Sequence, residues 1–212
     1  MSTITTTMGD HFVLFIKPDK GVPVSLEPIL LTEFYEKKPF EGSDLYADVS
    51  WRTTLHKQVE IPPELWLVTS DRLYSFDVYP YSGGFIASQQ FIDLLTDFQI
   101  DNYERRNIKV VSKRKEFIKA KNYSFIKFHN GIDAIDLERS KLDRDKQGGY
   151  IKKFHEIYLT NDHKPDLFVI NGLVLTNRLF CSHRFKSRAE ELKINGIAYI
   201  PAKEAGNYKE YR

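Results

Sequence analysis

Residues 85–98 read FIASQQFIDLLTDF, and this stretch decides the fold class. Phe85, Ile86 and Ala87 form a short apolar run that suits a strand buried on both faces. Ser88 follows, and a serine hydroxyl at a helix start accepts one of the backbone N–H groups that have no partner inside the helix. Phe91, Ile92, Leu94, Leu95 and Phe98 then recur at spacings of three and four, the stripe of an amphipathic helix. A second segment has the same plan. Leu179, Phe180 and Cys181 are apolar, Ser182 can cap, and Phe185, Ala189 and Leu192 mark a helix ending near Asn195-Gly196. Phe91 and Phe185 each lie three residues after their serine, and Phe98 and Leu192 each lie ten after. Two readings stay open: coincidence between two amphipathic helices, or two similar halves.

Outward from these helices the pattern is one of short strands. Residues 11–17, 64–69, 74–79, 108–111, 124–128, 134–137, 151–159, 166–170, 173–181 and 197–200 alternate or run apolar between turn residues, and each predicts a strand. The tail, 203–212, is polar and reads as loose. The fold class expected is α+β, with mostly antiparallel sheet and two main amphipathic helices. Residues 1–84 read as a β-rich, irregular lobe and 85–212 as an α+β lobe, the two packing as one compact unit.

Hydrophobic residues make up 42% of the 212 and charged residues 28%, ordinary for a water-soluble globule. Aromatics reach 14%, which tilts the reading toward sheet and toward binding surfaces. A net charge of +2 does not by itself imply a polyanionic partner. Nothing approaches the roughly 20 apolar residues that cross a bilayer, and no early segment has a signal-peptide plan. Cys181 is the only cysteine, which excludes an intramolecular disulfide and a cysteine-based metal cluster. A cytoplasmic address follows as an expectation.

No constellation carries strong catalytic chemistry. Asp133, Asp136 and Glu138 with Lys141 gather carboxylates near a lysine, as metal nucleases do, but the Glu-x-Lys strand spacing fails because position 140 is Ser140. A solvated strand edge or turn is the plainer reading. His155, Glu156 and His163 lack zinc-site spacing, and His11, His56, His129 and His183 are scattered singly. Cys181 beside His183 could be drawn as a nucleophile, yet its apolar neighbours suit a buried thiol. Gly83-Gly84 and Gly148-Gly149 lack the spacing and lysine of a phosphate loop. The expectation is no enzyme, no cofactor and no metal.

Charge is unevenly placed. Segment 104–127 holds nine basic residues (Arg105, Arg106, Lys109, Lys113, Arg114, Lys115, Lys119, Lys121, Lys127) against Glu104 and Glu116, a local +7, which leaves −5 on the rest. With Phe117, Tyr123 and Phe125 interleaved, this segment fits three readings. One is a hairpin with Ile108, Val110, Phe125 and Phe128 inward and lysines outward; the others are a single-strand nucleic-acid surface and a contact for an acidic protein. Segment 27–48 is the reverse, six acids against Lys37 and Lys38. Glu36, Glu41 and Asp44 there, with Tyr35, Trp51 and Trp66 as rings, are the candidate partner-binding residues: charge would steer encounter and aromatics would supply desolvated contact. The plainer alternative is an irregular cover with its aromatics turned inward.

Segment 85–98 also resembles the middle of bacterial polymorphic-toxin immunity proteins, immunity family forty-three above all, with family eleven a relative. Asn122-Tyr-Ser-Phe-Ile-Lys-Phe128 and Gly131-Ile-Asp-Ala-Ile-Asp-Leu-Glu-Arg-Ser140 are similar to the family's following segments, as are residues 151–159. Asn195-Gly-Ile-Ala-Tyr-Ile-Pro201 is similar to its closing glycine, aliphatic, aromatic and proline pattern. The resemblance covers residues 66–201. It implies binding to a cognate toxin domain and carries over no catalytic residue. The function expected is neutralisation of that toxin by occlusion, with nucleic-acid binding by residues 105–127 as the alternative.

Overall fold

The computed structural model describes residues 11–23, 30–32, 51, 60–69, 73–81, 83–112, 114, 116–119, 121–144, 151–160, 164–171 and 178–208. In chain order these form β1 (Phe12–Ile16), β2 (Leu30–Thr32), β3 (Leu65–Thr69), β4 (Val78–Tyr81), β5 (Gly84–Ser88) and α1 (Gln89–Asp97). Then come β6 (Tyr103–Ser112), β7 (Tyr123–Phe128), β8 (Lys141–Arg144), β9 (Ile151–Glu156), β10 (Leu167–Val169), β11 (Leu179–Cys181) and α2 (His183–Glu191). The described chain closes with β12 (Ile197–Pro201) and a 3-10 helix, Ala202–Asn207. The fold is mixed α+β with mostly antiparallel sheet, as the strand and helix patterns predict. No described helix is long and apolar enough to cross a membrane.

Two units make up the chain, each discontinuous in sequence. One comprises Met1–Phe15, Gly131–Lys193 and Ala198–Glu210; the other comprises Ile16–Asn130, Ile194–Ile197 and Tyr211–Arg212. The second unit holds a six-stranded sheet in the order β2-β3-β6-β7-β5-β4. Only the β3–β6 pair in it is parallel. Alternation along the strands sends Leu65, Leu67, Ile86, Ile108, Val110, Tyr123 and Phe125 into one core, which Val22, Trp51, Ile61, Tyr74 and Phe76 cover. The opposite face carries α1, whose Phe91, Ile92, Leu94 and Leu95 are buried. On that side Arg105 donates to Ser124 Oγ at 2.9 Å and to Gln89 Oε1, in the first helical turn, at 2.8 Å.

The other unit has a four-stranded sheet, β10-β11-β1-β12, and a two-stranded ribbon, β8-β9. Val13, Phe15, Ala134, Ile157, Phe168, Ile170 and Phe180 form its core, with Phe168 and Phe180 stacked at 5.7 Å. The 3-10 helix closes against β9 so tightly that a Cβ at Gly206 would run into the carbonyls of Phe154 and His155. Ala202 and Ala205 are buried there, so the polar tail read as loose is docked through residue 207. Two small alanines on one side of a polar run are too weak a signal to have shown this.

Both helices begin in the same way, one in each unit. Ser88 and Ser182 have the same backbone angles, φ −73° and ψ 164°, and each Oγ accepts the N–H of the phenylalanine three residues on. Each hydroxyl also donates to a carboxylate, Ser88 to Asp77 and Ser182 to Asp166. Each serine N–H donates to the main-chain carbonyl of that same aspartate. In each hairpin the residue after the aspartate is paired with the residue before the serine: Val78 with Ala87, and Leu167 with Cys181. Both helices stop at a left-handed residue, Gln99 at φ 55° and Lys193 at φ 56°.

Several predicted elements are placed differently. Residues 74–77 are not strand; β4 begins at Val78. Residues 134–137 make an isolated bridge, Ile135 to Leu159, and then a turn in which Asp136 accepts the N–H groups of Glu138 and Arg139. Strand β6 starts at Tyr103, because polar residues 103–107 pair with β7 as well as the apolar ones do. Phe125 and Phe128 do not share an inward face: three positions apart on a strand they point to opposite sides. Phe125 enters the core and Phe128 meets Phe85 edge-on at 6.0 Å. Lys127, expected outward, shares Phe125's side and is 3% exposed.

Candidate partner-binding surface

The face of the six-stranded sheet that carries α1 also carries, on β3 and β6, a strip with rings and a lysine. Trp66 and Val68 alternate outward on β3 while Leu65, Leu67 and Thr69 are buried. The parallel register sets Trp66 beside Lys109 and Val68 beside Val111 on β6. Lys109 lies with its ammonium 4.5 Å from the centroid of the Trp66 ring and 2.7 Å from Glu64 Oε1. A cation over an indole face is attracted by the ring quadrupole, so Lys109 holds the ring in place while staying exposed.

Phe117 joins this patch through a tight turn. The Ser112 side chain accepts the N–H of Arg114 at 3.0 Å and of Glu116 at 3.3 Å. Its own N–H donates to the Glu116 carbonyl at 2.8 Å. The chain doubles back and Phe117 bridges to Val111, so both point to the Trp66 side. The Phe117 ring is 73% exposed and stands 6.3 Å from Trp66. A phenylalanine that well held and that exposed is the most conspicuous apolar group among the described residues.

Of the six residues picked from the sequence, Trp66 lies on this surface. Trp51 does not: it is 3% exposed and meets Phe125 edge-on at 5.4 Å, inside the core. Tyr35, Glu36, Glu41 and Asp44 lie outside the described residues. Phe117 was visible only as one ring in a cationic run; what marks it is a large apolar residue flanked by Lys113, Arg114, Lys115 and Glu116, with no period to bury it.

The basic segment is largely engaged within the protein. Arg105 binds Ser124 and Gln89, Arg106 pairs with Glu104 at 2.9 Å, and Lys109 pairs with Glu64. Lys121 reaches the buried Asp77 carboxylate at 2.6 Å. Lys127 donates to the Trp51 carbonyl at 2.7 Å, and burial pulls its pKa below the usual lysine value against the opposing pull of Glu104. Arg114 and Lys119 stay exposed. Lys113 and Lys115 lie outside the described residues.

The other constellations resolve into local structure. Asp133 accepts from the Asn171 amide at 2.8 Å, and His155 pairs with Asp143 at 3.1 Å on the ribbon. Cys181 is buried, and desolvation pushes its thiol pKa well above the ordinary value, so the thiolate that a nucleophile needs is disfavoured. Among the described residues no three His, Cys, Asp or Glu side chains gather closely enough to hold a metal ion.

Fold and surface together describe an α+β protein, mostly antiparallel, that presents a fixed aromatic patch ringed by charge. A family model for Immunity protein 43 matches residues 15–211, and the chain belongs to that family. No curated protein matches it. The match runs well ahead of residue 66, where the sequence resemblance begins, and takes in both units.

Proposed function

We propose that this chain binds a cognate bacterial toxin domain and neutralises it by covering a functional surface, with no chemical step of its own. The observation that carries the reading is the family match across residues 15–211. The half-buried Trp66 and the exposed Phe117 beside it support it, because large rings held rigid before binding lose little entropy when a partner covers them. We place the action in the cytoplasm, where a lone reduced cysteine is at home.

The nucleic-acid reading of residues 105–127 has less to rest on. A single strand needs a continuous cationic track beside stacking rings, and Arg105, Arg106, Lys109, Lys121 and Lys127 each have partners inside the protein. The matched Asp–Ser–Phe devices at the starts of α1 and α2 support the reading that the fold grew from two related halves.

Co-expression tests the function. The cognate toxin domain should arrest growth when expressed alone and leave growth normal when this chain is present. Arrest that persists despite soluble, folded chain would end the proposal.

A further inference from the structure

We infer that the strip of the six-stranded sheet that carries Trp66 and Phe117 is where the toxin docks, and that the docking surface of the toxin is acidic around an apolar depression. The inference rests on the immunity reading and adds to it the face and the partner's chemistry. Two independent features converge on this strip. The first is apolar: Phe117 is 73% exposed and is held by the Ser112 turn and the bridge to Val111. Solvent gains nothing from an exposed ring fixed at a strand end, whereas a partner's pocket gains both its area and its low residual entropy.

The second feature is charge. Arg114 precedes Phe117 on the turn and Lys119 follows it, against Glu116. Arg114 and Lys119 are exposed, and neither has an ion-pair partner among the described residues. Lys109, over the Trp66 ring, shares its charge with Glu64. The anchor therefore lies between two exposed cations, Arg114 and Lys119, and its complement is a carboxylate-bearing rim. A nucleic-acid strand would also meet rings and cations here, but a strand is followed by a groove. Arg114 and Lys119 flank Phe117 in sequence, and the cations further along β6 and β7 are engaged internally.

The test measures binding of the full chain to the catalytically inactivated cognate toxin domain, the one this chain protects against in co-expression, with three variants. Phe117→Ala should weaken affinity by about tenfold or more, mostly through faster dissociation. Arg114→Glu with Lys119→Glu should slow association by about tenfold at low salt, with the difference shrinking as salt is added. Leu137→Ala, which removes an exposed apolar residue of the other unit, should leave binding unchanged. All four substituted side chains are exposed, so folding should survive. Tight binding by the unaltered chain with less than a tenfold effect in both of the first two variants overturns this face and leaves the immunity reading intact. No binding by the unaltered chain overturns both. Retention of a single-stranded oligothymidine in about 50 mM salt, lost in the same two variants, assigns the strip to nucleic acid and overturns the acidic-protein assignment.

Discussion

Replacing Asp77 with alanine should destabilise the unit built around the six-stranded sheet by about 3 kcal/mol, a large share of what holds such a unit folded. Asp77 is fully buried, and three donors converge on its carboxylate. Ser88 Oγ donates at 2.6 Å, the Lys121 ammonium at 2.6 Å and the Asn195 N–H at 2.8 Å. The side chain therefore joins the start of α1, the approach to β7 and the turn before β12. Alanine would leave the buried Ser88 hydroxyl and the Asn195 N–H without an acceptor, and each such loss costs about 1–3 kcal/mol. Lys121 is different. Its side chain is 36% exposed, so water can take over its ammonium. Lys121→Met should accordingly cost less than Asp77→Ala, since Asp77 keeps two donors. Urea unfolding followed by tryptophan fluorescence reads both variants, because Trp51 and Trp66, the only tryptophans, both belong to this unit. A midpoint fall of about 1–2 M for Asp77→Ala is expected. A shift no larger than that of Lys121→Met would mean that the carboxylate is not the organising acceptor.

Phe125→Ala should cost about 3–5 kcal/mol, the usual range for deleting a fully buried ring. Phe125 is at the centre of the main core, 0% exposed, with Trp51 edge-on to it. Its ring end also lies over Gly84 on the neighbouring strand, where a Cβ would be 2.5 Å from Phe125 Cζ. A glycine offers no side chain to fall into the hole, so the cavity should stay largely open and the cost should sit toward the upper end. Trp51 would lose its ring partner, and its emission should shift to longer wavelength before any unfolding. Phe117→Ala removes the same side chain from a position 73% exposed and should change stability by no more than about 0.5 kcal/mol. Equal costs for the two substitutions would contradict the placement of both rings.

The contrast between these two phenylalanines shows where the sequence was legible. Local signals carried well: Ser88 and Ser182 cap the helices they were expected to cap, and the apolar stripe of α1 is buried. These depend on spacings within one element. What depends on pairing across elements did not carry. Phe125, Lys127 and Phe128 were sorted by residue type, whereas the strand assigns faces by alternation and takes a lysine inward when a carbonyl, here that of Trp51, is within reach. Trp51 looked like an interface anchor because its neighbours in sequence are polar; its neighbours in space are Phe125 and the rest of the core. Strand β8, Lys141–Arg144, has almost no apolar residue and is defined by its ladder with β9, which a single sequence does not reveal. For the candidate surface, Trp66 was found and Phe117 passed over, since its exposure comes from the Ser112 turn that holds it out. The aspartates that complete the two caps, Asp77 and Asp166, lie eleven and sixteen residues before their serines, so no fixed spacing announces them.

Whether this protein acts by occupancy alone is tested most directly by titrating it into an assay of the purified toxin domain's activity. Toxin activity should fall in proportion to added chain and reach its floor near a one-to-one ratio, and should return when the complex is dissociated. Loss of activity at ratios far below one to one, with toxin that stays inactive after the chain is removed, would mean that the chain alters its target chemically and would contradict the account.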